Sequence, residues 1–337
     1  MRAFVVTDRL TAAVLDVEPP EAGADQVVVD IARVGVCGTD VELFTGEMEY
    51  LRQGHARYPL RLGHEWCGTV TAVGDNADPD WLGRRVTGDT EIGCGLCRQC
   101  LNGQHWLCDD RFEIGIRRGF PGALAEQLAV PVTSLFALPD SADDTAGALV
   151  EPGGNALRAV RAAGLSPGDR VLVLGLGTSG LLAALFARSL GAEVHGLGRS
   201  QRSTDFARTL GLDGVWRSDG LPSLPWDAVI DASNAPEMPA LALDLVEPGR
   251  RIVYIGLAGT ASHIDTRALV LKDVTAVGVL AASSGLAGTI ESYANGDVDP
   301  RPLVAAIVGL DQVGAVLGGW RPADAGRGPK ILVDPRA

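Results

Sequence analysis

Along residues 1 to about 150 the apolar positions fall in short runs rather than at helical spacing. Ala3-Phe4-Val5-Val6, Gln26-Val27-Val28-Val29-Asp30-Ile31 and Gly68-Thr69-Val70-Thr71-Ala72-Val73-Gly74 are rich in β-branched residues, and Gly, Pro and Asp punctuate the stretches between them. This texture predicts a small β-barrel or sandwich with few helices. After about residue 152 the pattern becomes an alternation of strands and helices. Strands are expected at Arg170–Leu174, Glu193–Leu197, 214–217, 228–231, 251–255 and 275–280, with helical patterns such as 181–190 and Met238–Leu245 between them. Such alternation implies a parallel, doubly wound sheet, so the fold class is a β domain joined to an α/β domain. From about residue 286 the chain offers a helix at 288–295, a loop and a last strand, Lys330–Asp334. No internal repeat or low-complexity linker interrupts it.

Composition narrows the picture. A chain of 337 residues, 46% hydrophobic and 21% charged, is an ordinary globular protein of about two domains. A net charge of -13 argues against nucleic acid or an anionic membrane as a partner. Met1-Arg2-Ala3-Phe4-Val5-Val6 reads as a first strand rather than a signal peptide, and no apolar run is long enough to span a bilayer. The expected location is the cytoplasm, where thiols stay reduced. The six cysteines are then metal ligands, nucleophiles or core residues.

Val171-Leu172-Val173-Leu174 runs straight into Gly175-Leu176-Gly177-Thr178-Ser179-Gly180 and an apolar helix. Gly175 permits the tight turn, Gly177 lets the backbone approach a pyrophosphate, and Gly180 lets helix and strand pack closely. The free N–H groups of the helix start, around Thr178 and Ser179, face the phosphate charge. The next strand ends Leu197-Gly198-Arg199-Ser200, where an enzyme using NAD has an acid for the ribose hydroxyls. Arg199, Ser200 and Arg202 suit a 2′-phosphate instead, which predicts NADP.

Two groups of metal-binding residues stand out. Cys94, Cys97, Cys100 and Cys108 form C-x2-C-x2-C-x7-C, which suits a closed tetrahedral zinc site, although spacing leaves an iron–sulfur cluster open. The second group is dispersed: Cys37, His64, Glu65 and Glu151. Singly each reads as a core or surface residue.

Cys37-Gly38-Thr39-Asp40, Gly63-His64-Glu65, the four cysteines, Glu151-Pro152 and the glycine motif follow one another in an order that resembles the zinc-containing medium-chain dehydrogenase/reductase family over essentially the whole chain. The resemblance implies a GroES-like catalytic domain at 1–152, a Rossmann coenzyme domain at 153–285 and a return to the catalytic domain at 286–337. It implies that Cys37, His64 and Glu65 hold a catalytic zinc, with Glu151 as an alternating ligand or bonded to the zinc water. Zinc then acts as a Lewis acid on the substrate oxygen while hydride passes to or from NADP. Thr39 resembles the family's relay hydroxyl. Glu42 stands where the next relay member is commonly His, and Asp40 is expected to orient a ligand or the backbone. Cys67 is expected in the core. The segment from Cys37 to Gly46 is similar to the glucose dehydrogenase branch, and the cysteine lobe to 2-deoxy-scyllo-inosamine dehydrogenases. That branch places a carboxylate at Glu113 on sugar hydroxyls. Asn155 is a second candidate substrate contact, and Gly153-Gly154 implies either extra room near the metal or local packing. Family members are usually homodimers or homotetramers.

The expected activity is therefore hydride transfer between NADP(H) and a secondary alcohol or ketone on a polyhydroxylated small molecule, that is, a sugar, polyol or aminocyclitol. A reductase of simple aliphatic or aromatic carbonyls is the nearest rival, and a non-catalytic binding protein on the same fold is the rival of another class. The cysteine lobe carries few basic residues, which disfavours nucleic-acid binding.

Overall fold

The computed structural model describes residues 1–337. Gln26–Gly35 lies inside a seven-stranded sheet, antiparallel to Glu65–Val73, Gln127–Pro131 and the last strand, Lys330–Asp334. Val27, Val28 and Val29 are all buried, so both faces of this strand are covered and its apolar run is continuous rather than alternating. Arg2–Asp8 sits in a separate three-stranded sheet.

The stretch expected to be a loop before the last strand is ordered. Val304–Gly309 forms a strand parallel to Lys330–Asp334, and Val313–Leu317 forms a short helix. Val304–Gly309 ends its sheet and carries Ala305 and Ala306, with Ile307 exposed. An edge strand with small residues lacks the alternation that marks a half-buried one.

The second sheet has six parallel strands in the order Gly214–Trp216, Glu193–Leu197, Arg170–Leu174, Trp226–Asp231, Val246–Tyr254, Thr275–Gly278. The first of these in the chain lies beside the fourth, so the strand order reverses there and opens a crevice beyond the carboxyl ends. Val150–Ala163 joins the two sheets. Its apolar face of Ala156, Leu157, Ala159, Val160 and Ala163 is buried at helical spacing, and Gly164, at φ 65°, ends the helix in the left-handed region. One core runs from Cys67 and Leu138 past this helix to Val171 and Val173. The two sheets are therefore joined through packed side chains rather than through a free linker. No helix is long and apolar enough to cross a membrane.

Arg170 and Glu193 start adjacent strands in register and meet as a fork, with Nε to Oε1 at 2.7 Å and Nη2 to Oε2 at 2.8 Å. Trp216 Nε1 donates to His195 Nδ1, so His195 Nε2 carries the proton and donates to Glu193 Oε1 at 2.8 Å. Hydrogen bonds from Arg170 and then His195 pull the Glu193 carboxyl from 4.5 down to about 2. A depressed carboxyl stabilises the fold above its ordinary value, and that contribution is lost as the pH falls toward the depressed one. Comparing urea unfolding of wild type and Glu193→Gln across pH should show a constant gap near neutrality. The gap should close between about 4.5 and about 2; one that persists at the acid end would refute the linkage.

Candidate active site

Cys37 caps the helix Gly38–Thr45, and Asp40 in the first turn accepts its backbone N–H at 2.8 Å. The other Asp40 oxygen accepts the N–H of Gly63 at 3.2 Å and lies 3.6 Å from His64 Nδ1. Burial opposes the charge of Asp40, but the imidazole and these two N–H groups hold its carboxyl below the ordinary value. One fully buried carboxylate thus ties the segment of Cys37 to that of His64 and Glu65, the orienting role expected of it. The ligand atoms of Cys37, His64 and Glu65 all lie within 4.8 Å of one another. A tetrahedral zinc sphere needs ligand separations of roughly 3.3–3.8 Å, so small side-chain adjustments make a thiolate, an imidazole and a carboxylate fit the ion.

Lys330 was not singled out from the sequence. Its Nζ donates to Glu65 Oε2 at 2.5 Å and to the Val36 carbonyl at 3.0 Å, with both side chains buried. Burial disfavours the ammonium, but Glu65 holds its pKa above the ordinary value. A signal existed: among 29 basic residues only Lys272 and Lys330 are lysines, and Lys330 begins an apolar strand.

Glu151 is buried on the first turn of Val150–Ala163, close enough to feel His64, Glu65 and Lys330, but its carboxylate is not among the three converging ligand atoms. Burial pushes its carboxyl up to about 7, with Glu65 adding to the rise and His64 opposing it. Asn155, one turn on, donates its amide to Glu151 Oε1 at 2.9 Å. That amide orients Glu151 instead of standing free for a substrate.

Thr39 and Glu42 lie three residues apart on the helix Gly38–Thr45, so they share a face. Burial and then Glu47 raise the Glu42 carboxyl. Glu113 is buried in a two-stranded ribbon opposite Glu91. Its Oε1 accepts Arg111 Nε at 2.8 Å and the Tyr50 hydroxyl at 3.2 Å; Oε2 takes part in neither bond. Glu91 is buried near Asp89, Glu113 and Glu151, and burial with Asp89 beside it drives its carboxyl well above the ordinary range. The sequence reading missed Glu91, and nothing local marks it. Cys67 is fully buried in the core as expected, and its thiol is pushed up by burial.

The thiols of Cys94, Cys97, Cys100 and Cys108 also converge within 4.8 Å. Backbone N–H groups of Leu96 and Cys97 draw the Cys94 thiol down to about 7, which favours the thiolate a metal needs. In the parallel sheet, Gly175 has φ 91° and turns the chain off its strand. A Cβ on Gly180 would overlap the Gly175 carbonyl, whereas one on Gly177 would meet nothing within 4 Å. The open space above Gly177, at the N-terminus of the helix Thr178–Ser189, fits a pyrophosphate. Arg199 is exposed, Ser200 caps the helix Gln201–Thr209 by accepting the Ser203 N–H at 3.2 Å, and Arg202 Nη2 lies 3.5 Å from the Gly326 carbonyl.

Both parts of this site have counterparts in known proteins. Residues 23–140 match the alcohol dehydrogenase GroES-like domain and residues 179–294 the zinc-binding dehydrogenase domain. An L-threonine 3-dehydrogenase from Idiomarina loihiensis is 32% identical over 276 residues, covering 78% of this chain and 79% of its own. The chain belongs to the zinc-binding alcohol dehydrogenase family. Among solved structures, a zinc-binding dehydrogenase from Sinorhizobium meliloti 1021 bound to NADP superposes with a TM-score of 0.89 at 28% identity, covering 99% of each chain. The alcohol dehydrogenase of Thermus sp. ATN1 does so at 0.89 and 26%, again over 99% of each. The protein is a zinc-dependent oxidoreductase of the alcohol dehydrogenase type.

Gly153-Gly154 does not open space beside the metal. A Cβ on Gly153 would overlap the Tyr293 hydroxyl and the Thr289 methyl, and one on Gly154 would lie 2.9 Å from the Ala282 carbonyl. The two glycines let the helix Leu286–Asn295 and the turn before it approach Val150–Ala163. Gly153→Ala should therefore lower stability by about 1–3 kcal/mol, the usual cost of overpacking. Adding Tyr293→Phe should recover part of the loss in thermal melts; a Gly153→Ala chain as stable as wild type would show that the space exists after all.

Proposed function

We propose that this chain interconverts a secondary alcohol and a ketone on a small polyhydroxylated molecule, a sugar, polyol or aminocyclitol, and prefers NADP(H) over NAD(H). In this reading residues 1–152 and 286–337 form the catalytic unit and 153–285 the coenzyme unit. Cys37, His64 and Glu65 hold the catalytic zinc, Glu151 waits beside it under the control of Asn155, and the four-cysteine lobe holds a structural zinc. Zinc held by Cys37, His64 and Glu65 would supply Lewis acidity at the substrate oxygen, and a bound nicotinamide would serve as the hydride donor or acceptor. Thr39 and Glu42 carry the hydroxyl proton toward solvent. Arg199, Ser200 and Arg202 recognise the 2′-phosphate.

The observation that carries the substrate class is Glu113. Its Oε1 is saturated by Arg111 and Tyr50, which fix the carboxylate and leave Oε2 to accept a substrate hydroxyl or ammonium. A reductase of simple apolar carbonyls has no use for a buried, braced carboxylate there. The relatives named for L-threonine act on a substrate bearing an ammonium as well as a hydroxyl, which supports including aminocyclitols.

A panel of sugars, cyclitols, amino alcohols and simple alcohols, assayed with both coenzymes, tests this reading. Polyhydroxylated substrates should lead, with NADP preferred. Glu113→Gln should cost them about tenfold or more in kcat/KM, the worth of a hydrogen bond to a charged group, while sparing simple alcohols. Equal losses on both classes would assign Glu113 a structural role only.

Metal analysis should find close to two zinc ions per chain, one for each ligand group. Cys37→Ser should keep the lobe's zinc and lose turnover, while Cys100→Ser should lose the lobe's zinc and lower the melting temperature. A single zinc in wild type would contradict the assignment of one group.

A further inference from the structure

Arg202, Arg321 and Arg327 line a cavity of about 400 Å³ between the helix Gln201–Thr209 and the loop before the last strand, with Asp205, Ala323 and Gly326 also on its wall. None of the three guanidinium groups has a carboxylate within ion-pair distance; the ion pairs of the chain are made by other cations. The one acid on the wall, Asp205, is engaged by Gln201 at 2.7 Å and Arg208 at 2.8 Å. Arg321 is fixed by donating to the Gly328 and Pro329 carbonyls at 2.7 and 2.8 Å. Burial, and then the charge of Arg202, work against its protonated form. A chain with 42 acidic residues against 29 basic ones could have paired these arginines and does not. Gathered cations without counter-ions define a site for an anion.

The near wall of the cavity follows directly from the turn Gly198-Arg199-Ser200, where this type of sheet receives the adenosine ribose. The far wall belongs to the segment returning to the other sheet. We propose that the cavity takes a phosphate monoester, the 2′-phosphate of the coenzyme, and that Arg321 and Arg327 determine NADP selectivity together with Arg202. The assignment rests on the NADP reading above and adds to it a second grip from outside the parallel sheet. Arg321 and Arg327 clamp the phosphate across the cleft, so selectivity depends on the C-terminal loop as well as on the ribose turn.

Adenosine 2′,5′-bisphosphate and 5′-AMP differ only in the 2′-phosphate, so calorimetric titration of both isolates its contribution without turnover. Wild type should bind the bisphosphate more tightly. Arg327→Ala and Arg321→Ala should each cut that ratio about tenfold, the loss of one charge-assisted contact, and the NADP-to-NAD ratio of kcat/KM should fall in parallel. Arg321→Ala also frees two loop carbonyls, so Arg327→Ala, which breaks no hydrogen bond of the fold, is the decisive variant. If Arg199→Ala collapses the ratio while Arg327→Ala and Arg321→Ala leave it intact, the inference is wrong and the NADP reading survives. If wild type binds both nucleotides equally, the NADP reading fails and this assignment with it. Inorganic phosphate that binds beside saturating bisphosphate, and is lost in Arg327→Ala, would give the cavity to a substrate phosphate and overturn the coenzyme assignment.

Discussion

The ammonium of Lys330 and the carboxylate of Glu65 meet at 2.5 Å almost wholly out of water. Neither could be buried alone. Breaking such a pair by removing one partner costs about 3–5 kcal/mol, because the other charge is left uncompensated. The pair therefore obliges the last strand to return beside Gln26–Gly35, where Leu332 sits opposite Gly35. It also fixes Glu65 within reach of Cys37, since the same ammonium holds the carbonyl of Val36. Gly35 completes the arrangement: a Cβ there would overlap the Glu65 carboxylate. A residue near the end of the chain thus sets the shape of a site whose three converging side chains lie in its first fifth.

Asp40 extends the constraint. Its oxygens span the backbone N–H groups of Cys37 and Gly63, so the helix cap that presents the thiol and the turn that presents the imidazole move as one body. Glu151 belongs to a different body, the helix whose apolar face shares its core with the parallel sheet. The Glu151 carboxylate is therefore attached to the element that shares its core with the parallel sheet, not to the segments that carry Cys37, His64 and Glu65. Burial, opposed by His64 and aided by Glu65, raises the Glu151 carboxyl to about 7.

Features that depend on neighbours in the chain were readable in advance. The strands Arg170–Leu174 and Glu193–Leu197 coincide with their apolar runs, Gly175 makes the turn and Gly180 the close packing that the spacing demands, and Gly177 faces open space. The cysteine lobe was visible because its four thiols lie within 15 residues. Cys37, His64 and Glu65 came together only through resemblance, since no local pattern says that residues so far apart in sequence converge. Long-range contacts are where the reading stopped or erred. Lys330 meets Glu65 across 265 positions. The meaning of Gly153 depends on Tyr293, and that of Asn155 on which way Glu151 turns. The strand Val304–Gly309 was missed because an edge position relaxes the alternation on which strand reading relies.

The distribution of unbalanced charge gives the molecule a direction. Glu65, Glu91, Glu113 and Glu151 are buried at its metal end, three of them held by cationic or amide partners and Glu91 kept above the ordinary carboxylate range by burial. At the opposite end Arg199, Arg202, Arg321 and Arg327 stand without acid partners, beside a helix whose first turn contains no acid. A dinucleotide lying across such a gradient is favoured in one orientation only. In the proposed reading the guanidinium groups and the helix N-termini set that orientation by drawing the phosphates, because the carboxylates at the other end are already matched by their own partners or kept from charging by burial.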